Sequence, residues 1–243
     1  FSESLPEEHF PMGAGWLIVG PTGPRRIRIS MEYLAQHRGG HAYLVDLDPR
    51  WVRKRLAAGD ADTARMYQEH VVDQAVTTLQ RRPVQCMFVT PRLLEAIGER
   101  ISLADAGVRG VLCGGTSMRP QEVRFIVEEV LEGRVGFAPV YGNTLMGVAP
   151  SLSVGAHSGY VVQYYPPQPR AVVRVLGEDA QPVPYGARGR VELSTLTPEL
   201  FLPRLLERDS AVRCAPSERY PWDGVADVQP LELEGQAVNE GVY

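Results

Sequence analysis

The chain has two hydrophobic rhythms. From Gly15 to Tyr141, short apolar runs alternate with longer segments in which apolar residues recur at helical spacing. Trp16 to Val19, Ala42 to Val45, Gln85 to Val89 and Gly110 to Cys113 are short, rich in β-branched or large apolar residues, and bounded by Gly, Pro or Asp. Each predicts a buried strand. Between the second and third runs, Val72, Ala75, Val76 and Leu79 stand at i, i+3, i+4 and i+7, which predicts an amphipathic helix with Asp62 as its N-cap. Arg92 to Arg100 and Gln121 to Glu132 repeat the pattern, the latter with Val123, Ile126, Val127 and Val130 on one face and Pro120 near its start. This alternation predicts an α/β lobe over residues 1–150, doubly wound about a mostly parallel sheet.

After Tyr141 the helical period fades. Tyr160 to Tyr164, Ala171 to Leu176 and Gly189 to Leu196 read as strands separated by Pro- and Gly-rich turns. A mainly β, distorted barrel-like lobe is therefore expected over residues 151–243, with the change of subdomain near Pro150.

At 243 residues and 44% hydrophobic content the chain can bury a large core. Lys and Arg number 25 against 29 Asp and Glu, a net charge of -4 with no basic run, which argues against a nucleic-acid partner. No apolar stretch approaches the ~20 residues of a membrane span, and the opening Phe-Ser-Glu-Ser-Leu-Pro-Glu-Glu lacks the marks of a signal peptide. A cytoplasmic protein with no membrane partner is expected. Cys86, Cys113 and Cys214 are scattered without metal-ligand spacing and read as buried reduced thiols. The start at Phe1 and the close at Glu240-Gly241-Val242-Tyr243 lead us to expect a fragment.

Four segments offer chemistry. Gly20-Pro-Thr-Gly-Pro24 has the glycines of a phosphate loop, but no Gly-Lys-Ser/Thr follows and its prolines lack N–H groups, so it reads as a plain strand-to-helix turn. Gly114-Gly115-Thr116-Ser117 follows a predicted strand at the carboxyl edge of the sheet, where ligands bind in open α/β folds; a ligand-free turn accounts for it equally well. Tyr141-Gly142-Asn143-Thr144, just past another predicted strand, combines a ring able to stack on a base with a hydroxyl able to donate to a phosphate oxygen; a buried Tyr beside a turn is the plainer account. In Pro203 to Asp209, one carboxylate could accept both hydroxyls of a ribose, or Arg208 could form a solvated ion pair with Glu207 or Asp209. Arg25, Arg26 and Arg28 read as a solvated loop, and the five histidines show no catalytic spacing. A Rossmann oxidoreductase ranks last, because GxGxxG is missing after the first strand.

Taken in order, these segments resemble the phenylacetate-CoA ligase-like branch of the adenylate-forming superfamily. Val89-Thr90-Pro91 looks like its strand and turn before a helix, Gly114-Gly115-Thr116 like its adenine-binding turn, and Tyr141-Gly142-Asn143-Thr144 like its Tyr-Gly-Xaa-Thr segment. Tyr185 to Leu193 resembles its Gly-Glu-Leu strand, Ser194 to Thr197 followed by Pro203 and Asp209 the run that ends in its ribose-binding Asp, and Asp227 its hinge. Asp48-Pro49-Arg50-Trp51 and the closing Glu240 to Tyr243 look most like the ligase-like proteins of phenazine (griseoluteate) antibiotic biosynthesis.

The resemblance implies the N-terminal domain type of these ligases and ATP-dependent activation of an aromatic carboxylic acid as its acyl-adenylate. Tyr141 would stack on the adenine of ATP or AMP with Gly114 and Gly115 at its edge, Thr116, Gly142 and Asn143 would belong to the same nucleotide site, Thr144 would touch the α-phosphate as the catalytic contact, and Asp209 would hold the ribose. Trp16, Met118 and Phe137 would line the acid pocket or belong to the core. Coenzyme A, a carrier-protein thiol or an amine would take the acyl group. Three departures stand out. Leu145 occupies the place of the acidic residue that helps hold Mg2+, and a hydrocarbon cannot ligate a hard cation. Only about fifteen residues precede the Trp16 strand, where the family has its phosphate loop, and about sixteen follow Asp227, where it has a further domain. Either the rest is supplied elsewhere, for instance as a separate chain, or the protein is a degenerate homologue that binds an aromatic acid or acyl-AMP without making it.

Overall fold

A computed structural model describes residues 1–23 and 25–231; Pro24 and the closing Glu240 to Tyr243 lie outside the described residues. The chain divides into two compact units, one built from Ser2–Gly114 and Arg124–Ala138, the other from Gly115–Val123 and Pro139 onward.

In the first unit, β1 (Gly15–Gly20), β2 (His41–Asp46), β3 (Cys86–Val89) and β4 (Gly110–Cys113) run parallel in the order β2-β1-β3-β4, with β5 (Gly136–Asn143) next in the sheet. The four predicted strands are all present. β1 is buried along its whole length, with Ile18 opposite Leu44 on one side and Phe88 on the other. Such strands read as unbroken apolar runs because helices cover both faces of a parallel sheet.

The crossovers are α1 (Arg26–His37), α2 (Pro49–Ala57), α3 (Ala61–Arg81) and α4 (Pro91–Gly98). α3 turns Val72, Ala75 and Leu79 inward as predicted, and Val71 with them. Its N-cap is Asp60, not Asp62: the Asp60 carboxylate accepts the Thr63 N–H at 3.3 Å, while Asp62 pairs with Arg65 one turn inside the helix. The basic cluster is no loop, since Arg26 opens α1 and Arg28 holds Glu32 at 2.9 Å one turn later. The helix expected over Gln121 to Glu132 forms as α5 (Pro120–Phe125) followed by a π-helical stretch, Ile126–Val130. The wider hydrogen bond from the Leu131 N–H to the Ile126 carbonyl brings both Leu131 and Ile126 into the core.

In the second unit, β5 continues and pairs antiparallel with β6 (Gly147–Pro150), Asn143 facing Gly147. The rest is an antiparallel sheet of β7 (Gln163–Tyr164), β8 (Ala171–Leu176), β9 (Arg188–Leu196), β10 (Phe201–Cys214) and β11 (Gly224–Pro230), in the order β7-β11-β10-β9-β8. The mixed class, a mostly parallel sheet followed by an antiparallel lobe, is the one the hydrophobic pattern predicts. Tyr160 to Tyr164 keeps only its last two residues as strand, because Gly159 and Tyr160 both take positive φ, 58° and 61°. The charged run around Glu207 lies inside the long, bulged β10.

Candidate functional site

The residues that gather into a site belong to the second unit and come from the β5–β6 hairpin and from β10. Tyr141 and Asn143 lie within β5, so the predicted segment is the end of the strand and not the turn after it. β10 supplies Glu207 and Asp209, both within its bulge between Leu206 and Ser210, and both reach the β5–β6 hairpin.

The Tyr141 hydroxyl donates to Asp209 Oδ2 at 2.7 Å, joining residues 68 positions apart. Burial, reinforced by the neighbouring Asp209 carboxylate, pushes the Tyr141 hydroxyl far above the ordinary tyrosine value, so it stays a donor across the physiological range. Its ring sits 5.8 Å from that of Tyr164 on β7. Asn143 Nδ2 donates to Glu207 Oε1 at 2.6 Å, while Asn143 Oδ1 accepts the Leu145 and Met146 N–H groups at 2.9 and 2.8 Å. The Thr195 hydroxyl, buried on β9, donates to the Leu145 carbonyl at 2.9 Å, and Met146 is buried. Thr144 stands exposed between these anchors.

Gly142 is required by packing, because a Cβ there would fall on the Gly147 carbonyl of β6. Of the remaining predicted residues, Gly114 follows β4 buried, its N–H directed at the Val89 carbonyl at 3.4 Å, while Gly115 and Thr116 are exposed. Gly115 has φ of 99°, a conformation costly for any residue but glycine. The structure thus brings Tyr141, Asn143 and Asp209 together, with Gly142 and Thr144 on the same hairpin, and the Gly114–Thr116 turn is placed by β4. The sequence offered Glu207 only as an ion-pair partner of Arg208 and gave no sign of Thr195 as a member of the site; no periodic signal marked Glu207, because the bulge between Leu206 and Ser210 interrupts the alternation of β10.

Leu145, at the position where the resemblance puts an acidic metal ligand, is half-buried with its carbonyl engaged by Thr195, so this position does not fit a divalent cation. Among the described residues no group of three or more His, Cys, Asp or Glu side chains could hold a metal ion. Gly20 to Gly23 forms the plain turn expected of it, with the Thr22 N–H and hydroxyl both bonded to Asp46 Oδ1, at 2.7 and 3.0 Å. Trp16 is fully buried and packed against Phe10, which makes it core and not pocket. No described helix is long and apolar enough to cross a membrane.

Solved structures share this architecture. The amide bond synthetase McbA from Marinactinospora thermotolerans matches with a TM-score of 0.57 at 16% identity, over 90% of this chain and 43% of its own. The fold is theirs. A 2-hydroxyisobutyryl-CoA ligase solved with 2-HIB-AMP and CoA matches with a TM-score of 0.62 at 12% identity, over 90% of this chain and 45% of its own. McyG A-PCP complexed with phenylalanyl-adenylate gives 0.62 at 14% identity, over 95% and 42%. The chain therefore spans less than half the length of these structures. No protein-family model matches its sequence, and no curated protein matches it with significance.

Proposed function

We propose that the chain is the nucleotide- and acyl-binding part of an ATP-dependent ligase that activates an aromatic carboxylic acid as its acyl-adenylate. One observation carries the reading. Tyr141 and Asp209, which the resemblance assigns separately to adenine and ribose, meet in a 2.7 Å hydrogen bond. The fold shared with two structures holding acyl-adenylates supports the same reading.

In this reading Tyr141 offers its ring to the adenine, and Gly142 and Asn143, with Gly115 and Thr116, contribute to the nucleotide site. Asp209 accepts the ribose hydroxyls, and Thr144 donates to an α-phosphate oxygen. A carboxylate oxygen of the acid attacks the α-phosphorus as the bond to pyrophosphate breaks, and a coenzyme A thiol, a carrier-protein thiol or an amine then takes the acyl group as the acyl–phosphate C–O bond breaks and AMP leaves. These residues act by positioning and by meeting charge where it develops. No step is assigned to a metal, because Leu145 offers none a ligand. The aromatic acid and a place in phenazine-type antibiotic biosynthesis rest on the resemblance alone. Asp48 to Trp51, which contributes to that finer likeness, also has a local structural purpose: Asp48 caps α2 through the Arg50 N–H at 2.9 Å. The remaining parts of such a ligase would come from further polypeptide, in this protein or in a partner chain.

Leu145 favours a second reading, a homologue that binds an aromatic acid or acyl-AMP without forming it. Calorimetric titration with AMP and a panel of aromatic acids, beside an ATP-dependent pyrophosphate-release assay, separates the two. AMP should bind, and Asp209→Ala should weaken it roughly tenfold or more, the usual cost of losing hydrogen bonds to a charged group. Binding with pyrophosphate release selects the ligase, and binding without it the non-adenylating homologue. A folded chain that takes up no AMP would end both.

A further inference from the structure

We infer that Glu207, to which the resemblance gives no role, is a positioning residue that fixes the Asn143 amide and, through it, the loop presenting Thr144. The inference rests on the nucleotide-binding reading above and gives a task in it to a residue that the resemblance leaves without one.

A side-chain amide has two ends of nearly equal size, one an acceptor and the other a donor, and its partners decide which way it points. The loop requires an acceptor from Asn143, because Oδ1 receives the Leu145 and Met146 N–H groups at 2.9 and 2.8 Å. The NH2 end must then find a partner elsewhere. Glu207 Oε1 lies 2.6 Å from it, and a carboxylate accepts without ever donating, so the pair admits only the orientation the loop needs. Glu207 is itself held in register, its carbonyl accepting Arg190 Nε at 2.9 Å. With Thr195 bonded to the Leu145 carbonyl and Met146 buried, the loop is tied to β9 and β10 on either side of the exposed Thr144. Without Glu207 the Asn143 amide can turn, the two loop N–H groups lose their common acceptor, and Thr144 is no longer offered in one place.

The experiment is AMP titration of the full chain and four variants, each checked for folding by circular dichroism. Glu207→Ala should weaken AMP binding roughly tenfold, in line with one charge-assisted hydrogen bond. Glu207→Gln should stay within about twofold of wild type, because its carbonyl oxygen can accept the same N–H. Asn143→Asp sets two carboxylates face to face and should match Glu207→Ala; adding Glu207→Gln to it should restore affinity, the new amide donating to the new carboxylate. A merely structural role would lower thermal stability without this reciprocal recovery, and if Glu207→Ala does not fold, the Asn143→Asp pair decides. Wild-type affinity in Glu207→Ala, or no recovery in the double variant, overturns the inference while the response to Asp209→Ala keeps the nucleotide reading standing. A wild-type chain that binds no AMP overturns both.

Discussion

Glu192 is 3% exposed, yet it sits between Arg174 at 2.7 Å and Arg204 at 3.1 Å, with Arg174 directly across from it on β8. Burial alone would raise its carboxyl; the hydrogen bonds and charges of Arg174 and Arg204 outweigh it and hold the group below the usual glutamate value. A carboxyl depressed in the folded state stabilises at pH above its unfolded value, and that contribution disappears as pH falls through the lowered one. Glu192→Gln should therefore cost about 2 kcal/mol near neutrality, its arginines remaining partly solvated, and the gap to wild type should narrow as pH falls through the lowered value. Urea unfolding followed by circular dichroism from pH 7 to pH 3 would measure this; a gap constant across that range would contradict it. Single residues were unevenly legible. Asp209 and Tyr141 were singled out by the resemblance, but their meeting could not be read across a separation of 68 positions. Asp60 and Asp62 look alike as helix caps in the sequence, and only backbone geometry selects the one whose carboxylate reaches Thr63.

Among the elements, the β5–β6 hairpin is the most exacting. Gly142 has no room for a Cβ against the Gly147 carbonyl, and Gly147 turns the chain at φ of 89°. Gly142→Ala should push β6 away, cost about 1–3 kcal/mol as overpacking does, and weaken AMP binding beyond what the lost stability explains. Thermal denaturation beside AMP titration of the folded fraction would check it; unchanged affinity would mean the hairpin's close pairing does not serve the ligand. Elements with one strong signal were legible: β1, β3, β4 and β8 are compact runs of β-branched and large apolar residues, and α3 keeps its helical period through Val72 and Leu79. β10 was not, because its charges suggest a surface turn and its bulges, between Leu202 and Leu205 and between Leu206 and Ser210, break the alternation that marks a strand. α1 was hidden by arginines that crowd its first turn, and its buried residues are only Met31, Leu34 and Ala35.

For the whole molecule, the alternation of strand and helix followed by antiparallel strands was visible from hydrophobic spacing, which is a property of layers and survives sequence change. At 12–16% identity the chain still follows its structural neighbours over 90% or more of its length. The division into two compact units gives the three thiols a use that chemistry did not select. Cys86 and Cys113 lie in the unit with the parallel sheet and Cys214 in the other, all buried. Burial pushes Cys86 up to about 12 and Cys214 up to about 11, so neither forms much thiolate at pH 8 while its surroundings stay closed. Each cysteine is thus a latent clock for the opening of its own half. A pulse of iodoacetamide across a denaturant series, read by peptide mass spectrometry, should leave the native chain unlabelled. It should mark Cys214, 8% exposed at the end of β10, at lower denaturant than the wholly enclosed Cys86 and Cys113. Simultaneous labelling of all three would mean that the two halves come apart as one.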